Sequence, residues 1–152
     1  MFVRMIDTAL EKQCIARTVL EDLPEWFGIP ESREEYIRES GAMPFFAAVE
    51  GDEVIGFMAL KETSRYTCEI YVTGVKKRYH RCGAGRAMVV AFEAYARSHG
   101  YRYAQVKTVA GGHYPEYDAT RLFYERVGFA ELEVFPTLWD ENNPCLIMVK
   151  AL

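Results

Sequence analysis

The stretch from Pro44 to about Ser98 constrains the fold more than any other part of the chain. Pro44–Glu50 and Val54–Lys61 are apolar runs that flank Gly51-Asp52, a pair suited to a tight hairpin turn. A third strand is expected from about Tyr66 to Val75, and the three should form an antiparallel meander. Directly after it, Ala84, Ala87, Met88, Ala91, Phe92 and Tyr95 recur at the i, i+3, i+4, i+7 spacing of an amphipathic helix that stops near Gly100. Tyr101–Val109 then reads as strand again. A meander that feeds a helix and returns as a strand needs a crossover, which predicts a mixed sheet with helices on both faces.

The flanking segments fit around this centre. A strand is expected near Val3. Thr8-x-x-Glu11 reads as a capping box, followed at helical spacing by Leu10, Cys14, Ile15, Val19 and Leu23, and Leu23-Pro24 ends that helix. Ser32-x-x-Glu35 reads as a second capping box, opening a short helix that Gly41 closes. Trp26 and Phe27 fall in the loop between them. A further helix is expected from about Ala119 to Val127, with Asp118 as N-cap and Gly128 as its stop. Phe129–Val134 and Cys145–Lys150 close the sheet, giving the order β, α, α, β, β, β, α, β, α, β, β.

Length and composition narrow the class. A chain of 152 residues suits a single domain, 1–152, and 26% charged with 14% aromatic residues is incompatible with intrinsic disorder. No apolar run approaches the ~18–20 residues of a membrane span, and the amino terminus lacks the basic-then-apolar layout of a signal peptide. The expectation is a cytoplasmic chain with no membrane partner. Cys14, Cys68, Cys82 and Cys145 form no C-x-x-C pair and read as reduced thiols; His80-x-Cys82 supplies too few ligands for a metal site.

A net charge of −4 argues against a nucleic-acid partner, yet it conceals a separation. Residues 1–53 hold twelve acids and five bases, whereas residues 75–109 hold eight bases and only Glu93. The basic block contains His80-Arg81-Cys82-Gly83-Ala84-Gly85-Arg86 at the mouth of the strong helix. Glycines there admit close approach of a ligand, and the unpartnered first-turn N–H groups with the helix dipole make an anion site suited to a pyrophosphate. Lys76, Lys77, Arg78, Arg81 and Arg86 add matching charge. The residues argue against a Rossmann nicotinamide site: Met88 stands where the third glycine belongs, the next strand offers Gln105, Lys107 and Thr108 where an acid should be, and seven residues separate Val75 from Gly83.

At these residues the chain resembles the GNAT superfamily of acetyl-CoA-dependent N-acetyltransferases. Its [Q/R]-x-x-G-x-[G/A] hallmark is matched at both glycines of His80–Gly85, with His80 as the departure. A second motif, L-Y-x-x-x-G-F, is matched by Phe123-Tyr124-Glu125-Arg126-Val127-Gly128-Phe129, with Phe for Leu; Tyr117 stands where an Asn is usual. The resemblance runs from about Val3 to Lys150. It implies a GNAT-like α/β (α+β) fold with a mixed central sheet of about six to seven strands flanked by helices.

The resemblance also implies roles. Acetyl-CoA would be the co-substrate, held by Thr73, Gly74, Val75, His80, Arg81, Cys82, Gly83, Ala84, Gly85 and Arg86, with no metal. Alternation puts Glu69, Tyr71, Thr73 and Val75 on one strand face, and Glu69 stands where the histone-acetylating branch carries its general base. Tyr124 would protonate the departing thiolate, and a main-chain N–H near Gly74 or Val75, freed by a bulge at Gly74, would face the oxyanion. Cys82, a thiol at a helix N-terminus, suggests covalent catalysis, but a Cys–His pair would still need an orienting third group, and His80 sits on the phosphate-binding loop. The acceptor, a small-molecule amine or a protein lysine or amino terminus, is expected on an acidic, aromatic side holding Trp26, Phe27, Glu31, Glu34, Glu35 and, in the closing hairpin loop, Phe135 and Trp139. A homodimer is consistent with the superfamily. The alternative reading is an acyl-CoA-binding sensor or interaction module without turnover.

Overall fold

The computed structural model describes all 152 residues. Along the chain run β1 (Phe2–Met5), α1 (Ala9–Glu21), α2 (Pro30–Ser40), β2 (Phe45–Glu50), β3 (Glu53–Glu62), β4 (Thr67–Val75), α3 (Ala84–Ser98), β5 (Tyr103–Val109), α4 (Pro115–Arg126), β6 (Ala130–Asp140) and β7 (Asn143–Ala151). The element order is the expected one. The strands form a seven-stranded sheet in the order β1-β2-β3-β4-β5-β7-β6. Adjacent strands β4 and β5 are joined through α3, the crossover that makes the sheet mixed. No helix is long and apolar enough to cross a membrane.

The backbone forms two compact units, Met1–Lys61 with Ile70–Tyr95, and Glu62–Glu69 with Ala96–Leu152. In the first, β2 and β3 pair antiparallel around Gly51-Asp52, with Phe45 opposite Ala59, Phe46 opposite Met58 and Ala47 opposite Phe57. Both faces are covered, which is why these strands read as continuous apolar runs rather than alternating ones. Phe45, Ala47, Phe57 and Ala59 join Ile15, Ala16, Val19, Leu20 and Ile37 of α1 and α2 in one core. On the opposite face Phe46 meets Phe92 and Tyr95 of α3 at ring separations of 6.1 and 5.7 Å. Burying each such phenylalanine contributes ~1.5–3 kcal/mol relative to leaving it in water.

Thr8 caps α1, its hydroxyl accepting from Glu11 N at 3.2 Å. The second capping box is not used. α2 starts at Pro30 with Ile29 as N-cap, so Ser32 lies within the helix. Proline's fixed φ and missing N–H suit the first helical position, which moves the start ahead of Ser32.

Strict alternation along β4 also fails. Tyr71 and its neighbour Val72 both pack on the α1/α2 core, and a Cβ on Gly74 would lie 2.9 Å from Leu23 Cδ1 and 3.1 Å from Val19 Cγ1 of α1. Val75 is instead on the α3 side, where its Cγ2 and Met88 Cε would lie 3.1 and 3.3 Å from a Cβ on Gly56. Neighbours Tyr71 and Val72 thus reach the same core, while Gly74 and Val75 keep to opposite sides.

In the second unit β7 pairs antiparallel with β5, from Tyr103 opposite Ala151 to Val109 opposite Cys145, and with β6 on its other edge. β6 is longer than expected and reaches Asp140, so Phe135 and Trp139 are strand residues and only Glu141-Asn142 turn. Irregular register between Phe135 and Asp140 accommodates Pro136, which an edge strand tolerates because one row of its N–H groups has no partner. α4 starts at Pro115, not Ala119. Asp118 lies inside it and accepts from Gly112 N at 3.3 Å and from Arg121 Nη1 at 3.0 Å.

Candidate active site

The segment between β4 and α3 is a 3-10 turn, Lys77–Tyr79, followed by two residues with left-handed backbone, Arg81 at φ 62° and Gly83 at φ 89°. Arg81 is the one non-glycine residue with positive φ, a conformation that costs about 1–2 kcal/mol and concentrates at functional loops. The first intrahelical bond, Ala87 N to Gly83 O at 3.0 Å, leaves the preceding N–H groups at the helix mouth without helical partners. Left-handed residues next to a helix start turn successive N–H groups inward and make a concave anion site.

Much of the surrounding charge is already committed. Glu53 accepts from Lys76 Nζ at 3.0 Å, from Tyr79 Oη at 3.1 Å and from Arg78. Lys77 pairs with Glu25 through its ammonium and donates its backbone N–H to Asp22 Oδ2 at 2.7 Å. Lys77 holds the Glu25 carboxyl below the usual carboxylate range, and Lys76, with help from Tyr79 and Arg78, does the same to Glu53. Acids of the amino-terminal segment thus neutralise Lys76, Lys77 and Arg78, which the sequence had assigned to the ligand. Arg81 and Arg86 stay exposed with no carboxylate paired to them.

The His80 ring is committed within the protein. Its Nε2 donates to Val75 O at 2.7 Å, and the ring meets Trp26 edge-on at 5.8 Å. Trp26 thereby braces the loop. Phe27 packs edge-on against Tyr36 at 5.8 Å, and Tyr36 against Tyr71 at 5.3 Å, with Lys61 Nζ 5.3 Å above the Tyr71 ring. This aromatic run was not read from the sequence, because its members come from a loop, a helix and a strand. The acidic acceptor side is thinner than expected: Arg17 grips Glu34 with two hydrogen bonds of 2.6 and 2.8 Å. At the end of β4, Thr73 Oγ1 donates to Phe57 O at 2.7 Å, and Lys76 N to Ile55 O at 2.8 Å.

In the second unit Glu69 is only 4% exposed, rather than an open strand-end carboxylate. Gln105 Nε2 donates to its Oε1 at 2.8 Å, and Lys107 Nζ lies 3.4 Å from the same oxygen. Gln105 and Lys107 share one face of β5, with Cys145 two residues from Ile147, Lys107's partner on β7. Burial raises the Cys145 thiol to about 11, against the pull of Lys107, so this neighbour is neutral. Tyr124 is 5% exposed on α4. Its main-chain oxygen accepts from Phe129 N at 2.9 Å while Gly128 N bonds Glu125 O at 3.0 Å, with Gly128 at φ 104°. These two bonds are a Schellman motif, and the Phe129 ring closes on Tyr124 at 5.8 Å. The Tyr-x-x-x-Gly-Phe pattern is therefore a helix stop that fixes the rotational setting of Tyr124. Trp139 is exposed on β6.

The sequence from residue 12 to residue 129 matches the model of the Acetyltransferase (GNAT) family. The chain belongs to the acetyltransferase (GNAT) family. No curated protein sequence matches this acetyltransferase. Among solved structures it resembles a GNAT-family protein from Desulfovibrio desulfuricans, with a TM-score of 0.80, 24% identity and 98% of each chain covered. The aminoglycoside 6′-N-acetyltransferase of Enterococcus faecium superposes with a TM-score of 0.73 at 19% identity, covering 99% of this chain and 97% of that one. A GNAT acetyltransferase from Elizabethkingia anophelis with acetyl-CoA bound gives 0.69 at 14% identity, covering 99% and 98%. At these identities the likeness is one of fold.

Proposed function

We propose that the protein transfers the acetyl group of acetyl-CoA to a primary amine by direct attack of the amine on the thioester. The observation that carries this reading is the left-handed pair Arg81 and Gly83 opening α3, in a chain of the acetyltransferase family. The pyrophosphate is assigned to the loop from His80 to Arg86, chiefly its main-chain N–H groups with the Arg81 and Arg86 guanidinium groups. His80 serves by its bond to Val75 O, not by contact with phosphate. Thr73, Gly74 and Val75 are assigned to the pantetheine arm.

A primary ammonium, with a pKa near ~10, must lose a proton before its lone pair can attack. Glu69 takes that proton, directly or through water. The C–N bond forms as the carbonyl oxygen gains charge, stabilised by a main-chain N–H near Gly74 or Val75. The C–S bond then breaks, the Tyr124 phenol gives its proton to sulfur, and the nitrogen's second proton restores the phenol. Ammonium and acetyl-CoA become amide, CoA thiol and one proton. The acceptor's body is assigned to Phe27 and to the Tyr36 and Tyr71 rings beyond it, with Trp26 bracing the loop; Trp139 is a further candidate.

The test follows thiol release from acetyl-CoA with tyramine, spermidine, an aminoglycoside and a lysine peptide, beside calorimetric binding of acetyl-CoA. Amine-dependent thiol from at least one acceptor is expected. Tight acetyl-CoA binding without thiol from any amine would replace the enzyme by an acyl-CoA sensor, and absence of binding would remove both. Tyr124→Phe is expected to lower kcat by about 10²-fold with acetyl-CoA affinity unchanged; equal kcat retires Tyr124 as the acid.

A further inference from the structure

Glu69 is a buried carboxylate whose protein contacts are one-sided. Gln105 Nε2 at 2.8 Å and Lys107 Nζ at 3.4 Å both address Oε1. The donors stand two residues apart on β5, on the face opposite Ala104, Val106 and Thr108, so strand geometry fixes their spacing. The carboxylate side chain is 5% exposed and the Lys107 side chain 33%, so the cation bridges between the buried anion and water. A buried carboxylate held by one oxygen cannot rotate without breaking both contacts, and the second oxygen is thereby aimed.

We propose that Gln105 and Lys107 are positioning residues for Glu69, anchoring Oε1 so that Oε2 receives the proton of the acceptor amine. The inference rests on the reading of Glu69 as the base. In the step they serve, an N–H bond of the ammonium, or an O–H bond of an intervening water, breaks as an O–H bond forms on Oε2. The nitrogen keeps the electron pair that then attacks the thioester. Lys107 and Gln105 neither gain nor lose a proton. Their contribution is geometric, because misplacing a reacting group by about 1 Å costs on the order of 10²-fold in rate.

The experiment measures kcat and KM, with acetyl-CoA and whichever amine of the panel gives the most thiol, for Glu69→Gln, Lys107→Met, Lys107→Arg, Gln105→Met and the double variant Glu69→Gln/Lys107→Met. Lys107→Met and Gln105→Met are expected to lower kcat on the order of 10-fold or more with KM for acetyl-CoA unchanged, and Lys107→Arg to recover most of the loss. In the Glu69→Gln background Lys107→Met should cost nothing further, since its effect passes through Glu69. Additive losses in the double variant, or wild-type kcat in both Lys107→Met and Gln105→Met, overturn the positioning role while leaving Glu69 as base. Wild-type kcat in Glu69→Gln overturns the base and the positioning role together, and a wild type that releases no thiol with any amine does the same. Gln105→Met leaves the ion pair intact, so it decides the matter if unpairing the charge in Lys107→Met prevents folding.

Discussion

Single residues set the tightest constraints, and several are small. Gly56 on β3 lies under the end of β4: a Cβ there would sit 2.8 Å from Gly74 O, 3.1 Å from Val75 Cγ2 and 3.3 Å from Met88 Cε. The first contact is with backbone, which cannot swing aside. Gly56→Ala should therefore destabilise by about 1–3 kcal/mol through overpacking, more than the ~0.4–1 kcal/mol that restricting the unfolded chain returns. Thermal denaturation checks the sign; a raised melting temperature would show that β3 and β4 separate without strain. The acetyl-CoA affinity of this variant should fall with it, because Gly74 and Val75 are the residues pushed. Nothing in the sequence marked Gly56, since a strand glycine has many reasons to be there. Gly128 is different: its place just after a helix announced a left-handed stop, and it has one.

At the scale of elements, a set of ion pairs holds the approach to α3. Asp22 and Glu25, just after α1, hold Lys77, and Glu53 of β3 holds Lys76 and Arg78. A carboxylate whose folded pKa is depressed contributes fully above its unfolded value, here 4.5, and loses the contribution as pH falls below it. The double variant Glu25→Gln/Glu53→Gln should therefore melt below wild type at pH 7, and the gap should close under acid. A gap that stays undiminished as the pH falls well below 4.5 would assign the effect to packing and not to charge. Both sites are open to solvent, so the difference in melting temperature is small, and weaker acetyl-CoA binding at pH 7 is the more telling readout. The element boundaries that sequence misplaced share a cause. Pro30 and Pro115 each start a helix ahead of the polar residues Ser32 and Asp118 that resemble caps, and Pro136 sits inside a strand although proline usually breaks one.

For the molecule as a whole, the four thiols divide by burial. Cys68 and Cys145 are buried, and desolvation raises them to about 12 and about 11, whereas Cys14 and Cys82 are exposed. Alkylation of the native protein at pH 8, read by mass spectrometry, should label Cys14 and Cys82 and spare the other two until the protein is unfolded. Acetyl-CoA should protect Cys82, which stands in the proposed phosphate loop, and leave Cys14 reactive; equal protection of both would move the ligand elsewhere. What the sequence determined alone is local and periodic. Turn residues, helical spacing and the glycine-bearing loop gave the element order, the mixed sheet and the helix mouth, because each depends on neighbours within a few residues. The two family motifs pointed to the family on the same terms. Tertiary structure alone decided which charges remain for a ligand, which face Tyr71 and Val72 share, and that Gln105 and Lys107 close on one oxygen of Glu69. Those outcomes depend on residues far apart in the chain, and no periodicity encodes a contact between a residue at 69 and one at 107.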